Sequence, residues 1–241
     1  MIKVENLTVR FGGVTPLDHM TVDFSDGTNG LIGPNGAGKT TFFNVLSGFI
    51  RPQEGSVHAG DQDLLSMAHY RRARWGLRRT FQTEQAIEEL TIYDNVLMVH
   101  EHSSKDGRAT REDDVLNSIK FVGLTSSPYA KVGTLGAAER RLVEIARAVA
   151  GSPRVVLLDE PAAGLPDEET ERMGAVIQKI PEETGAQVIL VDHDMSLVSA
   201  CCSKTAVLDF GKLIAAGDTA EVLRNDEVKQ AYLGADTEEA A

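Results

Sequence analysis

Apolar positions along the chain fall into two spacings. Leu31 and Ile32 end one short apolar segment; VVLL at 155–158 is an unbroken apolar run, and QVILVDHD at 187–194 repeats the pattern. Runs of this length bounded by charge or glycine predict strands buried on both faces of a parallel sheet. Elsewhere the spacing is helical. TTFFNVLSG, 40–48, predicts a helix that stops at Gly48, and REDDVLNSIKFVGL carries Val115, Ile119 and Val122 on one face. AAERRLVEIARAVAGSP reads as a helix closed by Gly151 and Pro153. EVLRNDEVKQAYLG reads as a short terminal helix, with ADTEEAA as a frayed acidic end. Strands and helices interleave, so the expectation is an α/β chain; no internal repeat or long linker interrupts it.

The first strand runs into glycine. Gly33-Pro34-Asn35-Gly36-Ala37-Gly38-Lys39-Thr40 satisfies the pattern of glycine, four residues, then Gly-Lys-Ser/Thr, followed by Thr41. Side chains at Gly36 and Gly38 would block backbone amides from closing round phosphate oxygens, and the helix beginning near Gly38 adds its positive end. Lys39 then reaches the β- and γ-phosphates as a point charge, and the Thr40 hydroxyl joins the shell of Mg²⁺. This motif alone leaves kinases, GTPases and ATPases open.

The second apolar run ends in Asp159 and Glu160. Ligands of such sheets gather at the strands' carboxyl ends, so both acids are expected near the phosphates. Adjacent strand residues face opposite ways, which separates their roles: Asp159 to Mg²⁺, directly or through water, and Glu160 to polarising the water that attacks the γ-phosphate. The third apolar stretch leads through Asp192 to His193, well sited at the strand's carboxyl end to contact a γ-phosphate. The strand ends DEP and DHD favour water over a small-molecule acceptor, which argues against a kinase. His19, His58, His69, His100 and His102 show no ligand-like grouping, and His100 and His102 read as solvent-facing.

Charge narrows the partners. With 36 acidic against 24 basic residues the formal charge is −12, which argues against broad attraction to nucleic acid or anionic lipid. RRARWGLRR, 71–79, is the one basic run, and it reads as a helix face beside acidic surface. The adjacent Cys201 and Cys202 read as reduced core residues of a cytoplasmic protein. MIKVENLTVRF lacks a signal pattern, and no apolar run approaches the roughly 20 residues that span a bilayer.

Together GPNGAGKTT, RTFQ, VVLLDEP and VDHDM resemble the Walker A, Q-loop, Walker B and switch-histidine motifs of ATP-binding cassette (ABC) transporter ATPases, over nearly the whole chain. With DEPAAGL and the tail FGKLIAAGDTAEV, they resemble one ATPase type of the branched-chain amino acid importers. The resemblance implies a P-loop NTPase core with a mixed, mainly parallel sheet, an antiparallel β portion and an inserted helical subdomain. Residues 1–82 and 153–218 would form the core, 83–152 the helical subdomain and 219–241 the terminal helix and tail. It implies ATP and Mg²⁺ as cofactors, with Phe11 stacking on adenine and Gln82 joining Thr40 and Asp159 around the metal. Its partners would be a second ATPase subunit, identical or sister, transmembrane permease subunits at the inner membrane face, and indirectly a solute-binding protein; no nucleic acid is expected. A soluble cassette ATPase acting on ribosomes or DNA is the alternative, but neither a second cassette nor a long coiled-coil insertion is present. Another is a transporter ATPase for a different small polar solute.

One motif departs from the resemblance. Where the family has LSGGQ gripping the partner's γ-phosphate, this chain has Leu135-Gly136-Ala137-Ala138-Glu139. The hydroxyl is lost, methyls narrow the approach, and Glu139 brings a negative charge towards a polyanion. The expectation is a composite site that turns over ATP poorly. At Pro166-Asp167 the family's D-loop aspartate is displaced by one residue, and no role is assigned to Asp167.

Overall fold

The computed structural model describes residues 1–103 and 111–238. In chain order these give β1 (Ile2–Phe11), β2 (Val14–Phe24), β3 (Thr28–Ile32), α1 (Lys39–Ser47), β4 (Glu54–Ala59) and β5 (Gln62–Asp63). There follow α2 (His69–Trp75), β6 (Leu77–Arg79), α3 (Ile92–Ser103), α4 (Arg111–Phe121), α5 (Ala137–Val149) and β7 (Val155–Asp159). The remainder is α6 (Asp167–Thr184), β8 (Gln187–Val191), α7 (Met195–Cys201), β9 (Lys204–Asp209), β10 (Lys212–Asp218), α8 (Thr219–Val222) and α9 (Asp226–Glu238). The chain divides into two compact units, Met1–Arg72 with the segment from Ile189 onward, and Ala73–Val188.

The first unit holds an antiparallel sheet in the order β2-β1-β4-β5, and the strands β10-β9-β3-β8. β3 lies parallel to β9, while β9 and β10 pair antiparallel, so the sheet is mixed. All five residues of β3 are buried, the polar Thr28 and Asn29 as well as Leu31 and Ile32. α1 turns Phe42, Phe43, Val45 and Leu46 into the core, the two phenylalanines with no exposed surface. Each such ring contributes roughly 1.5–3 kcal/mol over an exposed one. Gly48 stops the helix at φ 82°, its N–H donating back to Val45. Arg72 also donates to the Val45 and Leu46 carbonyls in the last turn of the helix, the latter at 2.8 Å.

In the second unit β6 and β7 run parallel, with Arg79 opposite Leu157, and every residue of β7 is buried. α5 buries Leu142, Val143, Ile145, Ala146 and Val149 along one stripe. α4 ends at Phe121, so Val122 is buried from the following turn rather than from the helix.

Three expectations need correction. RRARWGLRR is not one helix face beside an acidic surface: it is split between α2 and β6, and Arg72 and Arg78 are buried. Burial pushes the Arg78 guanidinium down to about 10, and it donates to the Ala73 and Leu77 carbonyls. His100 does not face solvent: it is 3% exposed on α3, with Nε2 3.3 Å from the Asp114 carboxylate on α4. The terminal helix does not stop at Gly234 but continues to Glu238, and residues 239–241 lie outside the described residues. Cys201 and Cys202 are buried and unlinked, their thiols pushed up by burial, Cys201 to about 11. Among the described residues no helix is long and apolar enough to cross a membrane.

Candidate functional site

In the first unit, β3 delivers the chain into the glycine loop. Ala37 N–H donates to the Pro34 carbonyl at 3.2 Å, closing a tight turn, and α1 starts at Lys39 with Gly38 as its N-cap. Gly38 offers no side chain to cap the helix, so the first-turn amides retain their appetite for an anion. Glycine is required for reasons that differ from the open approach expected from sequence. A Cβ on Gly33 would lie 2.1 Å from the Leu208 carbonyl, and one on Gly38 2.1 Å from that of Pro16. Gly36 has open space, but its φ of 77° selects glycine. The loop is therefore held by the main chain packed behind it, and Gly211 N–H on the β9–β10 turn donates to Ala37 O at 3.0 Å.

Lys39 is 6% exposed and curls back across this loop, its Nζ donating to Gly33 O at 2.6 Å and Pro34 O at 2.9 Å. The ammonium thus stands over the concavity. Asn35, Gly36 and Thr40 are exposed and Thr41 half-buried, so the Thr40 hydroxyl is accessible. Phe11, at the end of β1, is 52% exposed, which suits a stacking platform better than a core ring. His193 is exposed two residues beyond β8, the strand beside β3. The next residue, Asp194, caps α7 by accepting from Ser196 N–H at 2.8 Å and Leu197 N–H at 3.2 Å. The Ser196 hydroxyl holds the Asp194 carboxyl below the usual carboxylate range. From the terminal helix, Tyr232 brings a buried hydroxyl under the influence of the Gly33 backbone without meeting hydrogen-bond geometry, and burial pushes it up to about 12.

In the second unit, β7 ends at Asp159 and the chain turns sharply, with Glu160 at φ 50°. A non-glycine residue in that left-handed region costs roughly 1 kcal/mol or more and is held only where its surroundings fix it. Gln82 meets it there: Nε2 donates to Glu160 Oε1 at 2.7 Å. Asp159 is 1% exposed and accepts from Arg79 at 2.8 Å. Carboxylate, hydroxyl and amide oxygens are the hard donors that suit Mg²⁺, so Asp159, Thr40 and Gln82 fit that ion by type.

The signature segment, Leu135–Glu139 in place of LSGGQ, leads into α5, with Gly136 as N-cap at φ −68° and no side-chain cap. Glu139 does not project an unengaged charge: its carboxylate accepts from Ser126 N–H at 3.2 Å, Ser126 Oγ at 3.0 Å and Thr125 Oγ1 at 3.3 Å. Leu135 is buried, Gly136 and Ala137 are exposed, and Ala138 is half-buried. Asp167 is an acid of the first turn of α6, where it complements the helix dipole.

Sequence reasoning passed over the residues that hold the Q-loop segment. Arg141 Nη1 donates to Gln82 O at 3.1 Å, Arg140 to Glu84 at 2.8 Å and Arg147 to Gln85 O at 2.7 Å, while Gln85 N–H donates to Glu144. All four partners lie on α5, behind the signature. Their signal was an alternation of acids and arginines inside an amphipathic helix, which reads equally well as solvated surface.

Comparisons with known proteins agree with one another. The family profile described as ABC transporter matches residues 17–163. The chain is 34% identical over 249 aligned residues to the high-affinity branched-chain amino acid transport ATP-binding protein BraF of Pseudomonas aeruginosa, covering 97% of this chain and 98% of that one. It is 32% identical to LivG of Escherichia coli, a protein of the same description, with the same coverage. The lipopolysaccharide export system ATP-binding protein LptB of E. coli is 31% identical, with 98% of each chain covered. Among solved structures, the ADP conformation of MJ1267, an ATP-binding cassette of an ABC transporter, superimposes with a TM-score of 0.87 at 25% identity, covering 97% of this chain and 98% of that one. A dimeric post-hydrolysis cassette, MJ0796 bound to ADP and Pi, shares the fold at a TM-score of 0.80 and 23% identity, covering 91% and 99%.

Proposed function

Because the chain belongs to the ABC transporter family, we propose that it is the ATP-hydrolysing subunit of an importer, working as a head-to-tail dimer on transmembrane partners to take up branched-chain or related amino acids. The observation that carries the chemistry is the main-chain loop whose uncapped helix start and curled-back Lys39 form a cradle for phosphate. The cargo assignment rests on the 34% and 32% identity to BraF and LivG, each over nearly the whole of both chains.

In this reading Gly33 to Thr41 wrap the phosphates and Lys39 neutralises their charge. Phe11 stacks on adenine. Thr40, Asp159 and Gln82 would hold Mg²⁺, which would supply charge neutralisation at the phosphates. Glu160 orients and deprotonates the attacking water, and the Gln82 amide holds Glu160 until nucleotide arrives. His193 contacts the γ-phosphate. The Leu135–Glu139 segment faces the partner's nucleotide through backbone amides, because Gly136 has no hydroxyl and the Glu139 carboxylate is bound by Thr125 and Ser126. ATP shifts the dimer towards closure through its higher affinity for that state.

The test is purification with the native permease, reconstitution in vesicles, and ATP-dependent uptake of leucine, isoleucine and valine. Saturable uptake of these three supports the reading. ATP turnover stimulated by lipopolysaccharide instead would favour the second reading, to which the similarity to LptB points.

A further inference from the structure

We propose that Arg79 is a positioning residue for the Asp159 carboxylate, gripping one oxygen so that the side chain meets the metal in a single orientation. The inference rests on the reading of Asp159 as a metal-holding acid. Arg79 ends β6, in parallel register with Leu157 two residues before Asp159. Its Nη2 lies 2.8 Å from Asp159 Oδ2, and the two side chains are only 6% and 2% exposed. Charge-assisted contacts of this length between dehydrated partners have little freedom to wander.

The grip is part of a larger clasp. Thr80 N–H donates to Leu157 O at 2.9 Å, and Thr80 Oγ1 accepts the Asp159 N–H at 3.1 Å, which pins the backbone of the acid as well as its side chain. The Arg79 guanidinium lies 4.8 Å from the centre of the Phe81 ring, which supports its outer face. Gln82 closes the segment on Glu160. Of the four consecutive residues Arg79 to Gln82, three thus engage Asp159, the strand leading to it, or Glu160, and Phe81 backs the Arg79 guanidinium.

Mg²⁺ demands nearly ideal octahedral geometry, so the orientation of a holding carboxylate matters to affinity, and loss of such an outer partner typically weakens metal binding about 10–100-fold. The opposite effect is also defined: a cation beside the carboxylate repels a divalent ion, and if that dominated, removing it would tighten binding.

The experiment uses the full chain and Mn²⁺, with free ion followed by electron paramagnetic resonance at saturating ADP. Affinity for a fluorescent ADP analogue in EDTA is measured in parallel. D159N should weaken Mn²⁺ binding; if it does not, the metal reading of Asp159 fails and the inference with it. Given that loss, R79M is expected to weaken Mn²⁺ binding about tenfold or more while metal-free nucleotide binding stays within about twofold. R79K, which keeps the charge without the planar fork, should lose less, and R79M added to D159N should cause no further loss. Unchanged or tighter Mn²⁺ binding in R79M would overturn the proposal, as would an equal fall in metal-free binding or a full additional loss on D159N. Should R79M fail to fold, R79K decides: a smaller loss that vanishes on D159N supports the grip, and no loss refutes it.

Discussion

Glu144 gives a sharp test of how the Q-loop segment is held. It is 5% exposed on α5, accepts the Gln85 N–H, and lies 3.9 Å from Arg147, which itself donates to Gln85 O. Replacing Glu144 with Ala removes a charge-assisted acceptor and should cost about 1.5–3 kcal/mol. For a chain of this length that lowers Tm by roughly 3–12 °C at about 2–4 °C per kcal/mol. Glu144→Gln keeps an acceptor oxygen for Gln85, so its loss should stay below about 1 kcal/mol. pH separates the two contributions. Burial pushes the Glu144 carboxyl up, against the opposing pull of the Gln85 amide and Arg147. The native state therefore takes up the proton more readily than the unfolded chain. Relative to Glu144→Gln, the wild type is favoured below the ordinary value of about 4.3 and loses that advantage as pH rises through the higher native value. Urea unfolding followed by Trp75, the single tryptophan and a member of the same unit, reports the difference across pH. A stability difference that is flat, or that grows in favour of the wild type as pH rises, would refute the burial argument.

Three further outcomes follow from the geometry. Gly38→Ala places a methyl 2.1 Å from the Pro16 carbonyl at φ 111°; it should abolish nucleotide binding in equilibrium dialysis and destabilise by at least about 1–3 kcal/mol. Gly136→Ser meets open space at ordinary N-cap dihedrals, so it should add a few tenths of a kcal/mol and raise ATP turnover of the purified dimer; unchanged turnover would mean the missing hydroxyl is not limiting. Asp194→Ala removes the α7 cap and should cost about 1 kcal/mol. Because the native Asp194 carboxyl is held low, that contribution is present above about 3.9 and lost as pH falls through the native value, so thermal melts of the two proteins should converge in acid.

The framework was legible because burial on both faces leaves little choice of sequence. β3, β7 and β8 are buried at every residue and carry apolar segments at Leu31–Ile32, 155–158 and 188–191, and the glycine loop announces itself through Lys39 and Thr40. What was hidden depends on tertiary partners. Arg79 sits in a run that looks like solvated charge, and only the β6–β7 register sets it against Asp159. His100 looks like a surface histidine until α4 covers it. Glu139 looks like a charge aimed outward, yet the turn at Thr125 and Ser126 takes it up. The glycines were found from sequence, but the reason for them was not: the carbonyls of Pro16 and Leu208 that forbid a side chain come from distant segments.

The central claim is that one nucleotide is bound by the glycine loop and hydrolysed with Glu160 as base. Glu160→Gln tests it most directly, in an assay that reads ATP binding and phosphate release on the same sample. The account predicts ATP affinity within a few-fold of wild type and turnover reduced about 10²–10⁴-fold, the usual contribution of a general base. Turnover near the wild-type rate would contradict it.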